Sequence, residues 1–479
     1  MCLNRKMIEI NKIKKVHMIG IGGIGMSALA KYFKANGVEV SGSDRDLNSE
    51  SVAELSKAGI NVNNQNNFAP EIMNGVECVV YTVAIGEENQ EYQYAKKHEI
   101  PLFTYAEMLG EISKDKFTIA ISGTHGKTTT TAMVHEIAKK LNLSPTTIVG
   151  SFLYNEDDSK NKSQELNQPQ ELNQPQELAQ LSSIKRSESS YQEEQKTNFI
   201  AGDSNLFIVE ACEYKRSFLN LHPNILIITN LEEDHLDYYK DLDDIKNTFY
   251  ELAKKIPDDG KIICNFKDEN LSQIVADFKD MVVDYLVIEP EIPELKYFGF
   301  HNRLNAAAAI RAVSEYLESN KLENFSTREI ANQLKDFKGT WRRMEYKGHT
   351  KKGAIVYDDY AHHPTEIKAT IKSFNENFPN KKLVVVFGPH LHSRTKFFFN
   401  DFVTELSKAD KTIIYPIFKA RSEDDYGVSA ELLSEAIDQN SCESLVLKTF
   451  KEIKEEIQKE EEETVILLLG AGEIYKVSI

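Results

Sequence analysis

Cysteine is scarce in this sequence of 479 residues. Its five cysteines are scattered and form neither a Cys-x-x-Cys pair nor a dense framework: Cys2, Cys78, Cys212, Cys264 and Cys442. Isolated cysteines are typical of chains whose thiols stay reduced. We therefore expect a cytoplasmic protein.

Long apolar runs are also missing. No stretch approaches the ~18–20 apolar residues of a membrane-spanning helix. The basic N-terminus leads into a predicted strand without the apolar segment of a secretory signal. These absences predict a protein without a membrane segment.

Positive charge is outnumbered, with 57 Lys and Arg against 74 Asp and Glu, a net charge of -17. Such a chain repels nucleic acid, so any phosphate ligand must be held locally by backbone amides, a few cations and metal ions. Hydrophobic residues nevertheless make up 41% of the chain, enough to bury real cores. The length predicts two to four domains.

Short apolar runs recur and are followed by glycine or polar loops and then by amphipathic segments. The runs lie at 16–19, 78–82, 117–122, 206–210, 225–229, 354–357, 383–387, 412–415 and 465–469. This alternation is typical of parallel sheets that helices cover on both faces. We predict the α/β class with three consecutive domains: Rossmann-like at 1–113, P-loop ATPase-like at 114–337 and Rossmann-like at 338–479.

The segment 155–198 has a different composition. It is rich in Gln, Glu, Ser and Asn and contains the repeat QELNQP at 164–169 and 170–175. Because such a segment buries too little apolar surface to offset its ordering entropy, we predict a disordered insertion. An element that binds a partner is the alternative.

The apolar run 117–122 leads into the glycine-rich segment G-T-H-G-K-T-T-T, and an amphipathic helix is predicted to follow to about residue 141. Backbone amides at such a turn can cradle phosphates, while Lys127 reaches the β and γ oxygens and Thr128 ligates magnesium. Ile121 stands at the first glycine position of the usual P-loop; a plain tight turn is the alternative. The predicted ATP-binding residues of this loop are Gly123, Thr124, His125, Gly126, Lys127, Thr128 and Thr129.

A second glycine-rich turn, G-I-G-G-I-G at 20–25, follows the first predicted strand and opens a helix. Its glycines let a pyrophosphate approach the helix N-terminus, which serves a dinucleotide or a UDP-sugar equally well. The predicted contacts of this site are Gly20, Gly22, Gly23, Gly25 and Asp44.

Several segments in order resemble the Mur ligase family, beginning with G-T-H-G-K-T-T-T, which is similar to that family's ATP loop. Glu210 and His235 match its magnesium-binding glutamate and its second-site metal histidine, so Thr128, Glu210 and His235 are the implied metal ligands. The resemblance extends through G-F-H-N-R-L-N-A at 299–306, G-T-W-R-R-M-E at 339–345 and D-D-Y-A-H-H-P-T-E at 358–366. These segments imply further ATP contacts from Asn302, Asn305, Arg342, Arg343 and Asp359.

The segment G-P-H-L-H-S-R-T at 388–395 resembles the family's amino-acid site. The implied catalytic residues are Lys127, His362, His390 and Arg394, with either histidine as the base that deprotonates the incoming amine. The two histidine pairs (His362 with His363, His390 with His392) alternatively indicate zinc. Three positions depart from the family pattern: Tyr105, Cys212 and Leu391.

The resemblance is nearest to members that add the first amino acid to UDP-N-acetylmuramate in peptidoglycan synthesis. It implies ATP, UDP-N-acetylmuramate and L-alanine as substrates, Mg²⁺ as cofactor, an acyl-phosphate intermediate, and a monomer or weak homodimer. The alternatives are a ligase that recycles murein peptides, an NAD-dependent oxidoreductase and a nucleotide-binding regulator without chemistry.

Overall fold

Three β-sheets follow one another along the chain in the computed structural model. The structure describes residues 9–155, 195–236, 238–322, 325–418 and 424–479. Each sheet carries its own helices, so the predicted α/β class with three consecutive α/β units is confirmed. In the described part of the chain, no helix is both long and apolar enough to cross a membrane.

The N-terminal unit is built on a five-stranded parallel sheet in the order β3-β2-β1-β4-β5. Its strands are β1 (Lys15–Ile19), β2 (Glu39–Asp44), β3 (Val62–Asn64), β4 (Cys78–Tyr81) and β5 (Leu102–Thr104). Its helices are α1 (Ile24–Ala35), α2 (Glu50–Lys57), α3 (Gln90–Lys97) and α4 (Tyr105–Ser113). A capping box between Thr104 and Glu107 begins α4, because each side chain accepts a hydrogen bond from the other's backbone N–H.

The central unit has seven strands in the order β12-β11-β10-β6-β9-β7-β8. They are β6 (Phe117–Ser122), β7 (Thr146–Asn155), β8 (Gln195–Ile200), β9 (Leu206–Glu210), β10 (Ile225–Ile228), β11 (Lys261–Cys264) and β12 (Val282–Asp284). Its helices are α5 (Lys127–Lys140), α6 (Leu242–Ala253), α7 (Ser272–Asp277), α8 (Phe300–Ser319) and α9 (Thr327–Asn332). Because β9 and β10 flank β6 in parallel, the three loops that follow these strands meet at one sheet edge.

The C-terminal unit has six strands in the order β13-β14-β18-β15-β16-β17, with β13 as an antiparallel edge. They are β13 (Glu345–His349), β14 (Ile355–Asp359), β15 (Lys382–Phe387), β16 (Lys411–Ile414), β17 (Glu443–Val446) and β18 (Thr464–Leu469). Its helices are α10 (Pro364–Asn377), α11 (His392–Phe397), α12 (Phe399–Leu406), α13 (Ala430–Asp438) and α14 (Phe450–Ile457). The loops after β14 and β15 leave the same sheet edge on either side of β18.

The predicted bounds of the disordered insertion, 155–198, are wrong at both ends. Asn155 is the last residue of β7, and 195–198 belong to β8, which pairs antiparallel with β7. Asn198 is fully buried; its Nδ2 donates to the Ile24 carbonyl at 2.6 Å, and its Oδ1 accepts from Lys31 Nζ at 3.1 Å. Pairing with β7 and these contacts with α1 stabilise a strand that lacks a hydrophobic pattern. The remainder, 156–194, lies outside the described residues.

Candidate active site

The phosphate loop has the predicted strand-turn-helix geometry between β6 and α5. Gly123 (φ 124°) and Gly126 (φ 83°) both adopt left-handed backbone conformations. A Cβ at Gly123 would lie 2.1 Å from Thr229 Oγ1, and one at Gly126 would lie 2.5 Å from Asn305 Oδ1. Only glycine therefore fits at either position.

Lys127 begins α5 and is held over the loop. Its Nζ donates to the carbonyls of Gly123 at 2.5 Å and Thr124 at 2.9 Å, and pairs with Glu213 Oε1 at 3.0 Å. Burial lowers the pKa of Lys127, but Glu213, Cys212 and Glu210 together outweigh burial and raise it to about 12. The lysine therefore stays cationic at neutral pH, as a group that stabilises phosphoryl charge must. Glu213, three residues beyond Glu210, has no role in the sequence prediction.

Two of the three predicted metal ligands are adjacent. Thr128 Oγ1 lies 3.1 Å from Glu210 Oε2, which also accepts a hydrogen bond from the Gly150 N–H at 2.8 Å. Oxygen ligands of one Mg²⁺ at ~2.1 Å are about 3 Å apart, so this hydroxyl and carboxylate fit the ion.

His235 takes a separate position in the site. Its Nε2 lies 3.6 Å from Glu213 Oε1 and 3.9 Å from Asp234 Oδ2. Burial lowers the pKa of His235, and this effect is larger than the opposite effect of its two carboxylate neighbours. The imidazole is therefore neutral near pH 7, the form in which histidine binds metals.

A cavity of about 270 Å³ opens beside the phosphate loop, between the central and C-terminal units. Seven predicted ATP-binding residues line it: His125, Gly126, Thr129, Asn302, Asn305, Arg343 and Asp359. Tyr285, Tyr297 and Leu304 supply apolar walls, and Asn230 and Asn265 add polar groups that the sequence did not single out. An apolar cavity with a few fixed polar groups next to a phosphate loop suits a nucleoside.

The neighbouring arginines have different roles. Arg342 is 2% exposed and donates to Asp358 Oδ2 at 3.0 Å, to the Gly472 carbonyl at 3.0 Å and to the Gly470 carbonyl. All three acceptors lie within the C-terminal unit, so the structure gives Arg342 a structural role and does not support the prediction that it contacts ATP. Arg343 instead lines the cavity.

Among the predicted catalytic groups of the C-terminal unit, Arg394 contacts the central unit, and His362 and His390 lie near each other. Arg394 Nη2 lies 2.9 Å from Asp234 Oδ1, and both side chains are nearly buried. Burial opposes ionisation, yet Arg394 and His235 hold the pKa of Asp234 far below its usual range. The His362 and His390 ring centroids are 6.0 Å apart, and His362 Nδ1 lies 3.2 Å from Glu366 Oε2.

His125 links the phosphate loop to the N-terminus of α10. Its Nδ1 lies 3.3 Å from Glu366 Oε1, and its Nε2 lies 3.7 Å from Glu232 Oε2. Burial lowers the pKa of His125, but the two carboxylates outweigh burial and raise it to about 9. Glu232 also accepts a hydrogen bond from Thr365 Oγ1 at 2.7 Å. The sequence prediction gives no role to Glu232, Asp234 or Glu366, although Glu366 belongs to the segment 358–366 and the other two lie within three residues of His235.

The N-terminal glycine turn also has the predicted form. Gly20 adopts φ 75°, and the Gly22 N–H donates to Asp44 Oδ2 at 2.8 Å, which ties the turn to the end of β2. A Cβ at Gly25 would lie 2.7 Å from the Tyr105 ring, so the tyrosine packs directly against α1. Tyr105, at a position where the family often has arginine, thus fills space beside this turn.

A phosphate loop with an adjacent hydroxyl–carboxylate pair, set between two further α/β units, defines the class of multidomain ATP-dependent ligases. Three family descriptions match in order: "Mur ligase family, catalytic domain" at 15–117, "Mur ligase middle domain" at 121–291 and "Mur ligase, glutamate ligase domain" at 342–472. The chain belongs to the Mur ligase family.

Similar proteins match over nearly the whole chain. UDP-N-acetylmuramate–L-alanine ligase of Clostridium acetobutylicum is 38% identical, with 97% of this chain and 96% of the relative covered. The ligase of that name from Caldanaerobacter subterraneus is 34% identical, with 98% and 97% covered. The crystal structure of UDP-N-acetylmuramate-alanine ligase from Thermotoga maritima has a TM-score of 0.71 and 25% identity, with 97% of each chain covered. A murein peptide ligase from Psychrobacter arcticus (TM-score 0.61, 21% identity, 97% of each chain) shares the fold.

Proposed function

We propose that this chain joins L-alanine to the lactyl carboxylate of UDP-N-acetylmuramate, converting ATP to ADP and phosphate, in peptidoglycan precursor synthesis. One observation carries the proposal: a continuous series of contacts joins Lys127 of the phosphate loop to Arg394, through Glu213, His235 and Asp234. Phosphoryl-transfer groups and amino-acid-binding groups thus lie together. The names of the similar clostridial proteins support this choice of substrates.

Each unit holds one part of the reactants. The glycine turn before α1 presents backbone N–H groups to the pyrophosphate of the UDP-sugar, and Asp44 fixes its shape through Gly22. ATP occupies the cavity beside Asn302 and Arg343, with its phosphates on the loop before α5. The C-terminal unit supplies the amino-acid site.

The first step is phosphoryl transfer. A lactyl carboxylate oxygen attacks the γ-phosphorus, and the bond from that phosphorus to the β,γ-bridging oxygen breaks, giving an acyl phosphate and ADP. Lys127 stabilises the charge that develops on the transferring group. Magnesium, held by Thr128 and Glu210 with His235 at a second position, would neutralise phosphate charge.

The second step forms the amide. The alanine amine attacks the acyl carbonyl, loses a proton, and the tetrahedral intermediate expels phosphate. His390 or His362 takes the proton, and Arg394 binds the alanine carboxylate in exchange for Asp234. Holding three reactants between closing units supplies much of the rate.

Phosphate release from purified full-length chain tests the proposal. With ATP, UDP-N-acetylmuramate and magnesium present, we expect release to require L-alanine and to be faster with it than with glycine or serine. Release that requires a murein tripeptide would instead identify a recycling ligase. No release with any acceptor would leave a nucleotide-binding protein and reject the proposal.

We also propose a cytoplasmic location, where ATP and nucleotide sugars are made, and a monomer or weak homodimer. Sedimentation velocity over a range of protein concentrations measures the latter. A single species of fixed higher order would contradict it.

A further inference from the structure

Three side chains from different parts of the chain converge where the phosphate loop meets α10. His125, Glu232 and His363 each place one possible ligand atom within 4.8 Å of the other two. His125 belongs to the loop before α5, Glu232 follows β10, and His363 caps α10. The cluster shares no residue with the Thr128–Glu210 pair.

Both histidines have a ring nitrogen suited to a ligand. His363 is 4% exposed, and its Nε2 has no hydrogen-bond partner among the described residues. His125 Nε2 is also buried without a hydrogen bond among the described residues, and it faces Glu232 Oε2 at 3.7 Å. A metal ion would there replace the proton that the neighbouring carboxylates favour on this ring. Buried polar atoms without partners are rare in folded proteins, and a ligand is one explanation for them.

The other nitrogen of His125 faces the carboxylate of Glu366 at 3.3 Å. Histidines that bind metals typically donate their second N–H to a carboxylate, which fixes the ring orientation and makes the ligand nitrogen more basic. Glu366 therefore stands where such a supporting carboxylate belongs. Its hydrogen bonds from the backbone N–H groups of His362 and His363 hold it in place.

The donor set favours one class of ion. Two imidazoles and one carboxylate suit Zn²⁺ and similar transition-metal dications, whereas Mg²⁺ prefers oxygen ligands. A dication would also offset the charge of the Glu232 and Glu366 carboxylates. We propose that His125, Glu232 and His363 form a zinc-type metal site that bridges the phosphate loop and α10.

The site closes by small movements. Ligands of tetrahedral zinc lie about 3.3 Å apart, so the three atoms, all within 4.8 Å of one another, must approach by at most about 1.5 Å. The Glu232 side chain is 38% exposed and can move. His363 Nδ1 accepts a long, 3.3 Å hydrogen bond from the Thr365 N–H, which is lost if Nε2 binds the metal.

This set differs from the zinc site considered in the sequence, which combined His362, His363, His390 and His392. Among the described residues, His125, Glu232 and His363 are the one group of three His, Cys, Asp or Glu side chains whose possible ligand atoms all lie within 4.8 Å of one another. The inference does not depend on which reaction the chain catalyses. His125 and Glu232 also line the nucleotide cavity, so bound zinc would engage two of its wall residues and oppose ATP binding.

Zinc titration against a chromophoric chelator tests the site, using full-length chain in excess magnesium so that the Thr128–Glu210 pair is occupied. We expect one zinc per chain, and at least ~10-fold weaker binding in His363→Asn, which keeps a side chain able to cap α10. His98 is exposed, so the control variant His98→Asn should bind zinc as tightly as the wild type does. If circular dichroism shows that His363→Asn fails to fold, Glu232→Gln is the variant whose zinc affinity is measured instead.

Two results would overturn the proposal. One is the absence of stoichiometric zinc binding by the wild-type chain. The other is binding that persists in His363→Asn and Glu232→Gln but is lost in Glu210→Gln, which would place zinc at the proposed magnesium site.

Discussion

Arg394 of the C-terminal unit lies 2.9 Å from Asp234 of the central unit, in an ion pair with both side chains nearly buried. A series of polar contacts leads from this pair to the phosphate loop. Asp234 is 3.9 Å from His235 Nε2, which is 3.6 Å from Glu213, which in turn binds Lys127 at 3.0 Å. The proposed amino-acid site and the phosphate-binding lysine are therefore electrostatically connected through the central unit.

Arg394→Lys tests the proposed grip on the alanine carboxylate. Lysine keeps the charge but loses the planar fork that binds a carboxylate through two hydrogen bonds. We expect the KM for alanine to rise ~10–100-fold while those for ATP and UDP-N-acetylmuramate hardly change. If the only role of Arg394 is its ion pair with Asp234, the substitution will lower thermal stability and leave the three KM values unchanged.

Lys127→Ala tests the phosphate loop. Losing a charge that stabilises the transferring phosphoryl group should lower kcat by ~10²–10³-fold. Lys140→Ala, at the exposed end of the same helix, is the matched control and should keep wild-type kinetics. Activity of Lys127→Ala within tenfold of wild type would reject the assignment.

Arg342→Met and Arg343→Met should separate stability from nucleotide binding. Removing Arg342 leaves the buried Asp358 without its cation, at a cost of about 3–5 kcal/mol in the free energy of unfolding. Arg343→Met should instead raise the KM for ATP, because Arg343 lines the cavity. Chemical denaturation and steady-state kinetics on both variants measure the two effects; the reverse pattern would contradict our assignment.

Replacing 158–192 with a short Gly-Ser linker should leave the Tm and kcat nearly unchanged, because β7 and β8 are kept. A large loss of stability in the linker variant would show that the replaced segment packs on the enzyme.

Asn198→Ala should lower the free energy of unfolding by about 1–3 kcal/mol, because it removes hydrogen-bond partners from Lys31 and from the Ile24 carbonyl.

His135 should contribute to loss of stability in acid. Burial lowers its folded-state pKa from 6.5 to about 4, so as the pH falls the unfolded chain takes up the proton first. Its contribution is therefore complete above pH 6.5 and is lost toward pH 4, by up to ~1.4 kcal/mol per pH unit. His135→Gln should flatten the Tm-versus-pH curve in this range, whereas the exposed His98→Gln should not. Parallel curves for wild type and His135→Gln would refute this.

Local patterns in the sequence determine the strands and the two glycine turns. The apolar run at 117–122 and the glycines at 123 and 126 predict β6 and its loop, because buried parallel strands read as continuous apolar runs and left-handed turns need glycine. Both signals lie within a few consecutive residues. The resemblance to the Mur ligases pairs Thr128 with Glu210 as metal ligands, and the structure explains the contact, since loops after adjacent parallel strands share an edge.

Only the tertiary structure decided the roles of the two arginines, the formation of β8 and the partners of the acidic site residues. The sequence presents Arg342 and Arg343 as neighbours of equal character; only packing shows that one faces a buried aspartate and the other the cavity. Strand β8 forms from a polar segment because β7 and α1 satisfy its backbone and Asn198, contacts that no local pattern contains. Tertiary structure also sets the roles of four acidic residues, because separate loops and helix α10 bring them against Lys127, His125 and Arg394: Glu213, Glu232, Asp234 and Glu366. An ion pair depends on distance in space, and the sequence by itself specifies only distance along the chain.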